Sequence, residues 1–507
     1  MEITGSQLII NSLIEEGVDK IFAYPGGYDK DIFDALYHEK DIELILPRHE
    51  QGLIHAAEGY ARSTGKVGVC LVTSGPGATN LVTGIADANY DGIPLVCFTG
   101  QVATSVIGND AFQEVDIVGI TRTISKYSTT IRKREDLGRA IKEAFYIART
   151  GKPGPVIVDL PSNIVSEIGP AEYPETVNIR GYKPSTGVHI GQIKKALEML
   201  KNAKKPLFLI GDGVNISHAN EEFEKLVNIT KVPVITTIMG KGAIPTKHPL
   251  FIGNVGMHGS YASNKAVNEC DVLFSIGTRF NDRVTGRIAE FAPNAKIIHI
   301  DIDSASISRN IVVNIPIVAD AKAAINELIP LAQELYTKKW VNQIKAWDKE
   351  YPVTAPSSVE GRISPQAIFE NLNKAFTEGI FLTDVGQHQM WTTQFLEMNK
   401  NKQLITSGGL GTMGFGLPAA IGAQLGNPDK RVVCIAGDGG VQMTIQELAT
   451  AVQLELPITL VIINNGFLGM VRQMQQFFHD KNYSGTCLRK RKSCEGKCNF
   501  DGSNIPE

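Results

Sequence analysis

Two residues in the chain carry the clearest chemistry, an acid and an amide. Asp438 sits in Gly437-Asp438-Gly439, directly after the apolar run VVCIA. Asn465 ends Asn464-Asn465, directly after ITLVII. The two lie 27 residues apart, the length of one strand–loop–helix–strand unit. Such a unit brings the carboxyl ends of two neighbouring parallel strands together, where ligands bind in open α/β sheets. A carboxylate and an amide oxygen are hard donors that suit Mg²⁺, with phosphate oxygens and water completing its octahedron. Gly-Asp-Gly alone is common turn chemistry. Its distance from a second polar pair at a second strand end makes it specific. A further acid, Glu50, follows the apolar run Ile42–Leu46 in PRHEQGLIHAAEGYAR. Partial burial there would keep a proton available for acid–base work. The plain alternative is an acid favoured by a helix dipole.

These residues need strands to position them. Apolar, β-rich runs occur at Lys20–Ala23, Val67–Thr73, Leu95–Thr99, Val156–Asp159, Leu207–Gly211 and Val232–Thr237. Others follow at Val272–Ile276, Ile297–Asp301, Ile380–Thr383, Val432–Ala436 and Ile458–Ile463. Helical patterns separate them, which implies parallel sheets covered on both faces. Thr4-x-x-Gln7 reads as a capping box opening a first helix that Gly17 ends. Gly169–Gly187 and Lys338–Pro365 break the rhythm and read as linkers. The expected fold is therefore α/β, with three doubly wound parallel-sheet domains over 1–168, 190–335 and 364–488. Residues 489–507 form a separate tail.

The bulk numbers exclude several classes. With 507 residues, one core does not suffice. The formal net charge is −3 and no basic stripe precedes the last residues, so neither nucleic acid nor an anionic membrane is indicated. The longest apolar runs are strand-sized, too short to span a bilayer. No leader is read ahead of the first helix. Seven cysteines in this length make no disulfide framework, and Cys70, Cys97 and Cys434 lie inside apolar runs. A reducing cytoplasm fits them. The middle segment has Gly211 and Gly213 but Ile216 where a G-x-G-x-x-G motif needs glycine, which disfavours an ordinary dehydrogenase.

GDG followed by NN at this distance resembles the thiamine-diphosphate enzyme signature. The resemblance implies metal ligation by Asp438, Asn465 and the backbone oxygen of Phe467, with Gly437, Gly439 and Gly440 around the diphosphate. It makes Glu50 the acid that holds the cofactor's aminopyrimidine in its reactive form. Pro25, Gly26 and Gly27 lie upstream in FAYPGG, and TSGPGATN spans Thr73–Asn80. GNDAFQEVDIVG carries Phe112 and Gln113, GQHQMW carries Gln387 and His388, and SGGLGTMGFGLPAAIGA carries Gly411 and Met413. Together these resemble the acetolactate (acetohydroxyacid) synthase catalytic subunits. The resemblance puts Phe112 and Gln113 near the reacting carbon, Gln387 and His388 at the diphosphate, and Met413 under the bent cofactor. GMHGSY, GTRFNDRVTGR and HIDIDSASI resemble flavin-binding segments of that family. Met257, His258, Arg279, Asp282, Asp301 and Ile302 are the FAD candidates, with Lys152. Arg283 would grip the carboxylate of a second 2-oxo acid, as a guanidinium does bidentately.

The activity so implied decarboxylates pyruvate and joins the two-carbon unit to pyruvate or 2-oxobutanoate, in branched-chain amino acid biosynthesis. Its cofactors are thiamine diphosphate, Mg²⁺ and a structural FAD. A homodimer or tetramer with the active site between subunits is implied, with a regulatory small subunit as a further partner. Other readings stay open: a flavin-free catabolic acetolactate synthase, an oxalyl-coenzyme A decarboxylase, or an inactive chain. The sequence departs from the family in three places. Lys152 replaces the usual Arg, Ser304 a usual Pro, and Met474 the Trp that lines the substrate channel. After Leu488 the segment RKRKSCEGKCNFDGSNIPE lacks apolar periodicity. A truncated or frame-shifted C-terminus, weak stability and poor or no activity are the expectations drawn from it.

Overall fold

Thr4 opens the first helix through a complete capping box. Its side chain accepts the Gln7 N–H, and the Gln7 side chain accepts the Thr4 N–H. The helix Gly5–Glu15 stops before Gly17, whose φ of 75° favours glycine. These features come from a computed structural model, which describes residues 2–184, 187–355, 357–358 and 361–489. The tail beyond Arg489 lies outside the described residues.

Each expected strand is present. Six parallel strands form the first sheet, in the order Glu43–Ile45, Lys20–Tyr24, Gly68–Val72, Leu95–Gln101, Pro155–Pro161, Tyr127–Thr130. Its order reverses between Lys20–Tyr24 and Gly68–Val72. The second sheet is also parallel, ordered Phe251–Asn254, Val234–Thr236, Pro206–Ile210, Val272–Ile276, Lys296–Asp301, Ile315–Val318. In chain order this is 3-2-1-4-5-6, the arrangement of dinucleotide-binding sheets. A third sheet runs Lys402–Thr406, Gly379–Thr383, Val432–Gly437, Thr459–Ile463. The fold is thus α/β with parallel sheets.

Two linker expectations need correction. Lys338–Glu350 is a helix, and its Trp340 and Ile344 pack into the core beside Leu207 and Ile235. Its polar face hides an apolar stripe that composition averages away. Part of Gly169–Gly187 is packed too: Ile168–Pro170 pairs with Glu2–Thr4, and Tyr182 donates to the Thr150 carbonyl.

The described residues divide into two compact units. One falls within 1–184, 382–385 and 405–464, the other within 185–381, 386–404 and 465–507. The first unit is built on two helices. Glu50–Thr64 is buried from Gly52 to Ala61, and Gly416–Gly426 from Gly416 to Gln424. They touch backbone to backbone. A Cβ on Gly59 would lie under 3.0 Å from the Ala419 carbonyl, and one on Gly422 under 3.0 Å from the Ala56 carbonyl. Because the obstacle is backbone, it cannot rotate away. Gly422→Ala is expected to cost about 1–3 kcal/mol or more through overpacking. The measurement is the thermal midpoint, which should fall; an unchanged midpoint would show that the helices can separate freely.

Candidate active site

Glu50 begins the helix Glu50–Thr64, with His49 as its N-cap. It is half-buried, and its Oε2 accepts the Asn80 side-chain amide at 2.9 Å. Asn80 ends the glycine turn after the strand Gly68–Val72. A Cβ on Gly77 of that turn would sit 3.6 Å from Glu50 Oε1. The same turn meets Gly26, which has no room for a Cβ against Thr73. Pro25, Gly26 and Gly27 leave the adjacent strand, so these segments share the point where the first sheet reverses order. That is the ligand-binding position of an open α/β sheet. Gln113 lies against Gly75 in a left-handed conformation, with φ of 60°. Phe112 is 78% exposed, and its carbonyl accepts Tyr28 Oη–H at 3.0 Å. Glu50, Pro25, Gly26, Gly27 and Gln113 therefore gather on one side of the first sheet.

Buried acids shape this unit, Asp29, Glu447, Asp384 and Asp87 among them, and none is marked by a sequence motif. Asp29 is fully buried and accepts the Gly26 N–H at 2.7 Å. Glu447, also fully buried, accepts the N–H groups of Arg48 and His49 at 3.1 Å and the Thr450 hydroxyl. It therefore holds the backbone just before Glu50. Asp384 accepts the N–H groups of Gly414, Gly416 and Val385. A Cβ on Gly440 would fall within 2.7 Å of its Oδ1. Gly411, with φ of 78°, lies on this loop, as does half-buried Met413. Asp87 completes the set and is taken up below. In each case burial raises the carboxyl pKa and the N–H or O–H donors oppose it. No periodicity marks such residues; only the loops folding back onto them reveals their task.

The strands Val432–Gly437 and Thr459–Ile463 are parallel neighbours, with Gly437 opposite Ile463. Asp438 follows the first directly and belongs to the first unit; Gly439 and Gly440 beside it are buried. Asn465 and Phe467 belong to the second unit. There the Asn465 side chain donates to Gln387 Oε1 at 3.2 Å and accepts the Phe467 N–H at 2.9 Å. Gln387 and His388 start the helix Gln387–Phe395. The donor set of one carboxylate, one amide oxygen and one carbonyl fits a hard divalent cation.

The second unit carries the flavin candidates. Its sheet reverses order between Pro206–Ile210 and Val272–Ile276. The turns after these strands touch: neither Gly211 nor Gly213 has room for a Cβ against Gly277. Arg279 follows in a turn whose carbonyl accepts the Asn310 amide. Asp301 ends the neighbouring strand, and its Oδ1 accepts the Asp303 N–H, which spans Ile302. Met257 donates its N–H to the Arg283 carbonyl at 3.1 Å, and His258 accepts from Gln394. Asp282 and Arg283 are exposed neighbours 3.8 Å apart. A glycine-lined switch point with an acid-ended strand beside it fits a dinucleotide. Lys152 belongs to the first unit, ahead of Pro155–Pro161. Lys241 is a fully buried lysine that the sequence reading passed over. It donates to the Thr393 carbonyl at 2.6 Å, and burial lowers its pKa to about 7.

Comparison with known proteins agrees with this geometry. Three thiamine pyrophosphate enzyme models match: the N-terminal TPP binding domain over 3–120, the central domain over 193–328 and the C-terminal TPP binding domain over 384–500. The fold and site thus define a thiamine pyrophosphate enzyme. The chain is 44% identical over 497 residues to the acetolactate synthase isozyme 3 large subunit of Escherichia coli K12, covering 96% of this chain and 86% of that one. It is 46% identical over 503 residues to the acetolactate synthase large subunit of Cyanidium caldarium, covering 96% and 85%. Against an acetolactate synthase of Mycobacterium bovis it is 45% identical over 494 residues, covering 96% and 80%. The chain belongs to the acetolactate synthase large-subunit family.

Burial raises the Asp29 pKa from 3.8 to about 6. A carboxyl whose folded pKa is raised contributes stability that is fully present below 3.8 and lost as pH rises through about 6. Asp29→Asn should therefore flatten the decline of the thermal midpoint across that window. Parallel midpoint curves for the two proteins would refute the assignment.

Proposed function

We propose that this chain is the catalytic subunit of an acetolactate synthase whose working residues are those gathered at the sheet ends. The enzyme decarboxylates pyruvate and joins the two-carbon unit to a second 2-oxo acid, pyruvate or 2-oxobutanoate. Thiamine diphosphate, Mg²⁺ and FAD are its cofactors. The observation that carries the residue assignments is Glu50, held by Asn80 at the mouth of a glycine turn in the first sheet.

When bound, thiamine diphosphate supplies an electron sink for the carbanion left by decarboxylation. The chain supplies the rest. Glu50 holds a proton at the aminopyrimidine ring nitrogen. Asp438, Asn465 and the Phe467 carbonyl hold Mg²⁺, with Gly437, Gly439 and Gly440 leaving room for phosphate oxygens. Gln387 and His388 meet the diphosphate, and Gly411 and Met413 support the pyrimidine side. Phe112 and Gln113 stand near the substrate pocket and the reacting carbon. Arg283 grips the acceptor carboxylate. Met257, His258, Arg279, Asp282, Asp301 and Ile302 hold FAD, with Lys152 as a point charge. No step requires hydride transfer, so FAD is structural. Residues 1–168 serve the pyrimidine, 190–335 the flavin and 364–488 the diphosphate and metal.

Among the described residues no helix is long and apolar enough to cross a membrane. We place the enzyme in the cytoplasm, as a homodimer or tetramer with a regulatory small subunit.

Glu50→Gln should lower acetolactate formation from pyruvate by about 10²–10⁴-fold while keeping circular dichroism and thermal midpoint. Full activity in that variant would remove Glu50 from its role. The same assay on the parent chain, with and without added FAD, separates this reading from a flavin-free synthase, since only the flavoprotein gains turnover. Met474 lies half-buried in the helix Gly469–Phe478. A flexible thioether defines a pocket loosely. Met474→Trp should raise the yield of 2-aceto-2-hydroxybutanoate relative to acetolactate in mixed-substrate assays. An unchanged product ratio would show that this position does not line the acceptor pocket.

A further inference from the structure

Inside the first unit lies a cluster of ionisable groups that the reaction does not use. The helix Glu50–Thr64 contributes His55, Glu58 and Arg62; the helix Val82–Asp91 contributes Asp87 and Asp91. Ligand atoms of His55, Glu58 and Asp87 lie within 4.8 Å of one another. All three residues have no solvent exposure. Asp384 faces His55 from the third sheet.

Asp87 is fixed from one side. Its Oδ1 accepts Ser407 Oγ–H at 2.6 Å and Thr412 Oγ1–H at 3.2 Å. Ser407 Oγ in turn accepts the N–H groups of Gly411 at 3.1 Å and Thr412 at 2.8 Å. With its lone pairs so occupied, Ser407 must donate its only proton to Asp87. Asp91 takes the Gly408 N–H at 3.0 Å, and Arg62 donates to the Thr406 carbonyl at 2.7 Å. Two acids of one helix, with Arg62 of the other, thus hold the loop from Thr406 to Thr412.

The other side is open. Asp87 Oδ2, Glu58 Oε1 and His55 Nε2 are buried with no hydrogen-bond partner, and the Glu58 and Asp87 carboxyls adjoin, with oxygens within 4.8 Å of each other. Two adjoining carboxylates in a dry interior cannot both ionise. Glu58 Oε2 already faces His55 Nδ1 at 3.1 Å, and burial holds His55 neutral. Arg62 lies 3.8 Å from Asp91 and also attracts Glu58, but a single cation does not offset three neighbouring acids. One proton between Glu58 and Asp87 removes one of their two negative charges and gives both bare oxygens a partner; the Ser407 and Thr412 hydroxyls support the charge that remains. A metal ion suits the place less well. Three ligands and no solvent leave its coordination shell incomplete.

We propose that Glu58 and Asp87 share one proton, and that Asp87 so supported is a positioning residue for the loop carrying Gly411 and Met413. The proposal rests on the reading of that loop as a cofactor support. Its test has two arms on the full chain. Infrared spectra at mildly alkaline pH, where surface acids are ionised, should show the carbonyl band of a protonated carboxyl. Glu58→Gln should erase the band and, by donating an amide N–H to Asp87, keep thiamine-diphosphate affinity near the parent's. Calorimetric titration with thiamine diphosphate and Mg²⁺ should show affinity about tenfold to a hundredfold weaker for Asp87→Asn, the loss of one charged hydrogen bond. If that variant fails to fold, Ser407→Ala reads the same loop and should also weaken binding. No protonated-acid band in the parent overturns the shared proton. So does a stoichiometric divalent ion retained by the parent after chelation and lost in Glu58→Gln. Parent-like affinity in folded Asp87→Asn or Ser407→Ala overturns the positioning role. A parent chain that takes up no thiamine diphosphate but shows the band fails the function proposed above, and with it the positioning role, yet leaves the shared proton standing.

Discussion

The contact of Glu50–Thr64 with Gly416–Gly426 is the constraint on which the first unit depends. Two helices meet without Cβ atoms at Gly59 and Gly422, so neither can shift without a backbone collision. One helix carries Glu50 at its start; the other begins where the Ser407–Gly414 loop ends. Fixing their separation fixes the acid relative to that loop. It also explains the buried polar groups beside the contact. Helices this close leave no room for water, so His55, Glu58 and Asp87 must satisfy one another or the loop.

Loops at the carboxyl ends of parallel strands carry backbone N–H groups that no strand partner satisfies. Asp29, Asp384, Glu447, Asp87 and Asp91 meet this need in the first unit, each by accepting from a loop N–H or a loop hydroxyl. A buried carboxylate is costly, and backbone donors are what make it tolerable. The result is rigid glycine turns. Gly416 and Gly440 crowd Asp384 so closely that neither has room for a Cβ, and Gly414 donates to it from a left-handed backbone with φ of 89°. Rigid turns suit a catalyst whose cofactor must keep one conformation, because ordering the site then costs nothing at the moment of binding.

Much of this was legible in the sequence, for a physical reason. Parallel strands buried on both faces read as continuous apolar runs, so VVCIA, ITLVII and their counterparts stand out. The Thr4–Gln7 capping box is local, and the structure contains it in full. Short strands such as Tyr127–Thr130, Phe251–Asn254 and Lys402–Thr406 escaped notice because four or five mixed residues carry too little periodicity. Lys338–Glu350 escaped because charge masks its buried Trp340, Val341 and Ile344. The positioning acids were illegible for a different reason. Glu447 lies 397 positions from Glu50, and only the tertiary fold brings it to the backbone of Arg48 and His49.

The middle sheet separates what a motif says from what topology says. Without a third glycine, G-x-G-x-x-G fails at Ile216, and sequence argued against an ordinary dehydrogenase. The strand order is nonetheless that of dinucleotide-binding sheets. The missing glycine matters because it normally lets the helix that faces the pyrophosphate pack closely on its strand. Here Gly213–Ile216 is a single turn of four residues, too short to present a helix dipole. The close contact is made instead by Gly211 and Gly213 against Gly277 of the neighbouring turn. A dinucleotide on this sheet would be gripped from the Gly277–Arg279 side and by the acid-ended strand at Asp301.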